Sequence, residues 1–344
     1  MSNIPDELYA NLGKSGLKVS KVIVGCMSYG SKDWFDWVLD DEDKVMEILK
    51  QAYDSGIRTF DTADVYSNGF SEVLIGKFLK KYNIPRDTVV ILTKCFNFID
   101  KEFKYPWRQY PKFEGINRSG LSRKHIIDAV QDSMERLGTY IDLLQIHRFD
   151  PDTPQEETMR ALNYVVEQGW ARYIGASSMK CYQFATFQFI AEKNGWAKFI
   201  SMQNYYNLVY REEEREMIPY CKKTGVGIIP WSPIAMGILA RPLDVDLATD
   251  RSKSTMVTNI KNSLTAKDKE LIGKVEALAN KHNVAMATIS TAWVLSKGCF
   301  PIIGLSKPKR IDDALAAISF KLTSEEIEDL ESSYEAKLIS TFGV

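Results

Sequence analysis

Histidine and cysteine are scarce, with three of one and five of the other in 344 residues. Cys26, Cys95, Cys181, Cys221 and Cys299 are far apart and form no CxxC pair, so neither a disulfide framework nor a zinc ribbon is expected. With His125, His147 and His282 they offer a catalytic metal no ligand set of recognisable spacing. Any redox chemistry is therefore expected to use an organic cofactor and no metal. Charge of one sign is lacking too. Lys plus Arg (44) nearly balances Asp plus Glu (45) without a dense basic run, which argues against a nucleic-acid partner. No apolar run is long enough to cross a bilayer, and the opening MSNIPDELYANLGKSG has neither the basic nor the apolar part of a secretory signal. A cytoplasmic protein with reduced thiols and no membrane partner is the expectation.

What is present is apolar material for a sizeable core, 45% of residues, arranged as short β-branched runs alternating with longer amphipathic stretches. Candidate strands are 21–25, 59–61, 89–94, 141–147, 173–177, 200–204, 227–231 and 300–304. Candidate helices lie at 41–55, 71–82, 122–137, 153–168, 180–194, 212–224, 285–297 and 309–318. In the third, Ile126, Ile127, Val130, Met134 and Leu137 form one stripe, and Ser122 can cap its start. Eight such units, with no GxGxxG after the first strand, predict an α/β fold: a (β/α)8 TIM barrel forming a single domain over 1–344. Before the first strand, 9–12 and 17–19 flank Gly13-Lys14-Ser15-Gly16 and predict an N-terminal β-hairpin across the barrel's bottom. Two βα loops are long. Residues 96–120 carry the aromatics Phe96, Phe98, Phe103, Tyr105, Trp107, Tyr110 and Phe113, and 232–264 lead into an extra helix at 266–282. Both follow strands and so belong to the C-terminal face, where barrel active sites form.

The strand ends carry polar residues that a buried sheet does not need: Asp61 in FDTADVY, Lys94 in ILTK, His147 in LLQIH and Gln203-Asn204 in MQNYYN. Singly, each has a plain structural explanation, but a barrel gathers successive strand ends around one mouth. Tyr66 follows Asp61 by five positions. A free phenol has a pKa of about 10. A neighbouring Lys94 ammonium is expected to lower it, with Asp61 holding Lys94 in place and His147 orienting a substrate oxygen. Such a set can protonate an alkoxide.

The chain resembles the aldo-keto reductases along nearly its whole length. The resemblance rests on GIRTFDTADVYSNGFSEVLIGKFL, on ILTK and on LLQIHRFD, which bring Asp61, Tyr66, Lys94 and His147 in the order of that family's catalytic tetrad. YIGASSM and IIPWSPIAMGIL are similar to the large-loop members: fungal aryl-alcohol dehydrogenase-like proteins, aflatoxin-aldehyde reductases and potassium-channel β subunits. The resemblance implies that Ser177 and Gln203 hold a nicotinamide carboxamide. It also implies that Trp231 stacks on the ring, and that Ser232, Pro233, Ile234, Gly237 and Leu239 follow the pyrophosphate. Ser178 stands where an asparagine is usual. The last signature, IIGLSKPKRIDDAL, implies an adenosine site with Gly304 and Asp313, although Ala314 replaces a usual amide. Ser306, Lys307 and Arg310 at a helix start suit a phosphate, which favours NADPH/NADP over NADH. Arg251 is a further candidate cation there.

Met27, Tyr29, Trp34, Phe35, Trp37 and Phe96 are expected to line a pocket for an apolar or aromatic carbonyl substrate. The expected activity is NADPH-dependent reduction of aldehydes or ketones, reversible as alcohol oxidation. A nicotinamide-sensing regulatory subunit and a metal-dependent hydrolase using His147 and Asp61 are the competing readings. The oligomeric state is open.

Overall fold

A two-stranded antiparallel hairpin, β1 (Tyr9–Asn11) and β2 (Lys18–Ser20), precedes the main frame. The structure is a computed structural model that describes residues 4–105, 109–243 and 254–339. Eight parallel strands follow: β3 (Ile23–Gly25), β4 (Thr59–Asp61), β5 (Val90–Cys95), β6 (Ile141–Ile146), β7 (Ala171–Ser177), β8 (Phe199–Gln203), β9 (Gly227–Ile228) and β10 (Ile302–Ile303). Each pairs with the next from β3 to β9, and β10 pairs with β3. The ring closes between β9 and β10, where Phe300 N–H donates to Ile228 O at 2.8 Å and Ile302 N–H to Pro230 O at 2.9 Å. The expected (β/α)8 barrel is therefore present. β9 and β10 are shorter than the sequence predicts because Pro230 and Pro301 interrupt their ladders with residues that have no N–H.

The helices are α1 (Glu42–Asp54), α2 (Phe70–Lys81), α3 (Arg123–Leu137), α4 (Gln155–Glu167), α5 (Cys181–Asn194), α6 (Met217–Thr224), α7 (Thr255–Ser263), α8 (Ala266–His282), α9 (Met286–Ser296), α10 (Pro308–Ser319) and α11 (Ser324–Ser332). α3 shows how a local sequence makes one. Ser122 accepts a hydrogen bond from His125 N–H at the start, Ile126, Ala129, Val130 and Leu137 are buried, and Gly138 at φ +67° ends it. The helix expected over 212–224 is broken. Glu212–Glu214 forms one 3-10 turn and α6 begins only at Met217, since Pro219 has no N–H to bond back four residues. α7 and α11 were not expected. Among the described residues no helix is long and apolar enough to cross a membrane.

The hairpin has the predicted place. Leu12 and Val19 join Ile23, Leu92, Leu143, Ile229, Phe300 and Ile302 in a buried cluster inside the barrel, so the hairpin plugs the end opposite the strand C-termini. Gly13 makes this possible: at φ +59°, a Cβ on it would lie 2.3 Å from Gly225 O. A larger apolar cluster packs the outer strand faces against the helices.

α11 is tied down by Glu326, which bonds Thr323 N–H in a capping box and accepts from Lys281 Nζ and His282 Nε2 at 2.7 Å each. Lys281 first, then His282, pull its carboxyl down to about 2. An acid depressed in the folded state contributes stability above its unfolded pKa and loses it as pH falls through the folded one. Glu326→Gln should therefore lower Tm at pH 7, with the gap to wild type closing between pH 4.5 and about 2. Thermal melts across that range test it.

Candidate active site

Strand alternation builds the site. Leu92 and Leu143 point into the barrel with the lower apolar cluster, so Lys94 lies two residues further up β5, and Gln145 and then His147 further up β6. On the neighbouring strands Phe60 and Met202 pack in the outer cluster, which turns Asp61 and Gln203 inward. Lys94 is paired in register with Gln145. The barrel thus gathers Asp61, Lys94, Gln145, His147 and Gln203 at its C-terminal mouth, and the loop after β4 adds Tyr66.

Lys94 is fully buried, and its ammonium donates to Asp61 Oδ2 at 2.6 Å, Thr62 O at 2.7 Å and Tyr66 Oη at 3.4 Å. Asp61 Oδ1 accepts from Gln203 Nε2 at 2.9 Å and Gln145 Nε2 at 3.2 Å, and Gln203 Nε2 also donates to Gln145 Oε1 at 3.1 Å. Asp61 and Thr62 hold the lysine, and Gln145 and Gln203 hold Asp61, as burial of a charge requires. The His147 ring lies edge-on to Tyr66, with centroids 5.9 Å apart. Tyr66 is 9% exposed and His147 8%, so both reach the cavity side of an otherwise closed layer.

The expected lowering of the Tyr66 pKa is corrected by the structure. Burial raises it, and this outweighs the opposing Lys94 charge and hydrogen bond, so the group stays above its ordinary value. Tyr66 is then a protonated phenol at neutral pH. Burial pushes Lys94 down, but the Asp61 and Tyr66 charges and hydrogen bonds together outweigh it, so its pKa is raised as well and the ammonium stays charged. The arrangement can give up a proton from Tyr66 and hold the resulting phenolate beside a fixed cation.

Around Tyr66 stands an apolar wall of Trp34, Val38, Ala63 and Val65, with Met27, Phe35, Trp37, Ile99 and Phe103 packed on it. Trp34 is 6.0 Å from the Tyr66 ring, and Phe35 stacks on Trp37 at 5.4 Å. Met27 and Trp34 stand in the cluster beside Tyr66. Phe96 instead packs against the main core, and Tyr29, 1% exposed, lies within that core and donates its hydroxyl to Leu305 O. Tyr29 thus braces the β10–α10 loop and is not part of an open wall. In the aromatic insertion, Phe98 packs on Tyr110 at 4.5 Å under Arg118. Trp107 and Arg251 lie outside the described residues.

The groups expected to hold a dinucleotide lie at the ends of β7, β8 and β9 and at the start of α10. Trp231 stacks on Tyr205 at 4.6 Å and donates Nε1–H to Ser178 Oγ at 3.1 Å, so Ser178 orients the indole. Ser177 Oγ donates to Gln203 O at 3.0 Å. Both amide hydrogens of Gln203 have partners in the layer below, leaving its carbonyl oxygen as the group that could meet a carboxamide. Past Trp231, Ser232, Ala235, Met236 and Gly237 all have positive φ, in a tight turn whose Ala235 and Gly237 N–H groups bond back to Ser232 O and Ile234 O at 2.9 Å each. Pro233 and Leu239 are buried under it and Ile234 is half-buried.

At the far end, Arg310 donates to Ser306 Oγ at 2.7 Å and Gly304 O at 3.5 Å beside the start of α10, where Lys307 is the exposed N-cap. Arg310 reaches solvent, yet desolvation first and the Arg241 guanidinium second lower its pKa. Asp313 is half-buried, and burial raises its carboxyl. The Arg310 guanidinium at a helix N-terminus, with the Arg241 charge near enough to act on it, fits an anion. The residues present thus suit a phosphorylated dinucleotide. Sequence reasoning missed Arg241, Gln145 and Arg148, whose Nη1 donates to His147 O at 2.6 Å. Gln145 was discoverable, being two residues before His147 and so on the same face. Arg241 has no periodic signal and joins Arg310 only in space.

The fold and the polar set at its mouth define a (β/α)8 barrel enzyme. The aldo/keto reductase family profile matches residues 21–335. A Schizosaccharomyces pombe protein carrying the name aryl-alcohol dehydrogenase is 58% identical over 343 residues, covering 97% of each chain. Versiconal hemiacetal acetate reductase of Aspergillus parasiticus is 55% identical over 344 residues, covering 96% of this chain and 98% of its own. An aldo-keto reductase of Fusarium vanettenii is 47% identical over 341 residues, with 96% and 92% covered. The chain belongs to the aldo/keto reductase family and is an oxidoreductase.

Proposed function

We propose that the protein reduces aldehydes or ketones to alcohols with NADPH, that its substrates are hydrophobic or aromatic, and that it works in the cytoplasm. The observation carrying this reading is the buried Lys94, 2.6 Å from Asp61 and 3.4 Å from the Tyr66 hydroxyl, below an aromatic wall. A nicotinamide held by Ser177, Gln203 and Trp231 would supply a hydride equivalent. Tyr66 delivers the proton to the carbonyl oxygen, Lys94 stabilises the phenolate left behind, and Asp61 with Gln145 and Gln203 keeps Lys94 in place. His147 holds the substrate oxygen. Trp34, Phe35 and Trp37 exclude water and accept an apolar ring. Arg310 and Arg241 favour the 2′-phosphate of NADPH. The same residues run alcohol oxidation when the reactant ratio reverses. The names of two relatives, an aryl-alcohol dehydrogenase and a hemiacetal acetate reductase, agree with a carbonyl-level carbon as the reacting centre. The five cysteines, all free, agree with a reducing compartment.

Purified protein with 4-nitrobenzaldehyde should consume NADPH and use NADH poorly. Because Tyr66 must carry its proton, reduction should hold through neutral pH and fall only above about pH 10. NADPH binding without turnover over a panel of aryl aldehydes would instead identify a nicotinamide-sensing subunit.

A further inference from the structure

Behind the tetrad lies a second buried ionic group that the chemistry above does not use. Glu72, in the first turn of α2, is fully buried. One carboxylate oxygen accepts from Thr93 Oγ1 at 2.5 Å, and the other from Arg136 Nε at 2.6 Å. Thr93 is the residue before Lys94 on β5, and Arg136 reaches in from the last turn of α3. Glu72 itself follows the turn Tyr66–Gly69, in which Ser67 and Asn68 have φ of +48° and +50°. The Arg136 stem fills the place where a side chain at residue 69 would stand. A Cβ on Gly69, at φ +93°, would lie 2.6 Å from Arg136 Cδ. α2 also presses on the end of α3 at Gly76, where a Cβ would lie 2.7 Å from Leu137 O.

We propose that Glu72 is a positioning residue for the Tyr66–Lys94 pair, its carboxylate joining the turn that carries the phenol to the strand that carries the ammonium. Two left-handed non-glycine residues make the Tyr66 turn strained, and a strained turn keeps its shape only where its surroundings impose it. Glu72 and Arg136 supply that constraint from below, where they add to the bonds from Asp64 N–H to Lys94 O and from Ser31 N–H to Ser67 Oγ, each at 3.1 Å. Asp64, in the same loop, shows how tightly this region is closed. Both its oxygens are buried without a hydrogen-bond partner among the described residues, and burial followed by the Glu72 charge pushes its carboxyl well up. Glu72 has a direct bond to the Arg136 cation, whereas the Arg136 and Lys94 charges offset the burial of Asp64 only in part.

The inference rests on the reading of Tyr66 as proton donor, and the test separates the two. The double variant Glu72→Gln/Arg136→Met leaves no unpaired buried charge and is the version expected to fold. It should melt near wild type yet lose more than fivefold in kcat, with KM for 4-nitrobenzaldehyde and Kd for NADPH within twofold. Thr93→Val, which cuts only the tie to β5, should shift kcat in the same direction by a smaller factor. A double variant with kcat within fivefold of wild type, or one losing kcat, KM and Kd together, overturns the proposal. If Tyr66→Phe is inactive while the double variant is fully active, this inference alone fails. If Tyr66→Phe keeps wild-type kcat, the donor reading fails and this inference with it.

Discussion

Replacing Tyr66 by phenylalanine should lower kcat for aldehyde reduction about a thousandfold, a barrier increase of about 4 kcal/mol, within the usual range for a general acid. The substitution removes one hydroxyl and little else. The ring keeps its neighbours Trp34 and His147, at 6.0 and 5.9 Å, and Lys94 keeps its shorter bonds to Asp61 and Thr62. Binding of NADPH, followed by quenching of protein fluorescence, should therefore be unchanged. This separation of turnover from binding distinguishes loss of a proton donor from loss of fold. A Tyr66→Phe enzyme with wild-type kcat would mean that another group, with His147 the nearest candidate, delivers the proton.

The second large effect is expected at the other end of the site. Arg310→Ala should weaken NADPH about 10- to 100-fold and leave NADH nearly unaffected, because a charge-assisted hydrogen bond to a phosphate contributes about 1.5–3 kcal/mol. Arg241→Ala should act in the same direction. In the free protein burial first, and the Arg241 charge second, disfavour the Arg310 cation, a cost that a bound phosphate would relieve. Parallel titrations with NADP and NAD at low and high salt check this. Equal weakening of both cofactors would remove the basis for the NADPH preference, and a loss of discrimination with rising ionic strength would fit the exposed position of Arg310.

Much of the site was legible because barrel geometry turns sequence position into spatial position. Asp61, Lys94 and His147 each end a strand run, and eight such runs can close in only a few ways. What stayed hidden depends on contacts between distant segments. Arg241 meets Arg310 across 69 positions of chain (310 − 241), and nothing local in IAMGILAR marks it. Tyr29 reads as a loop aromatic, yet it is spent on the carbonyl of Leu305, which sequence places far away. The direction of the Tyr66 pKa failed for another reason: a sequence displays the neighbouring charge but not the depth of burial that outweighs it. α11 carried a readable signal, Thr323 with Glu326 three residues on, that the search for eight repeating units passed over. The break before α6 was readable at Pro219.

The seam of the barrel has a consequence for how the protein is made. Among the described residues β10 is the last strand in chain order and the one that fits between β3 and β9. Until it emerges from the ribosome, the sheet has two unpaired borders, each able to zip onto another nascent chain. Arg310 lies seven positions after Ile303 (310 − 303), so the anion site arises only once that border is sealed. A dinucleotide bound there would favour sealed barrels over open forms in the folding population.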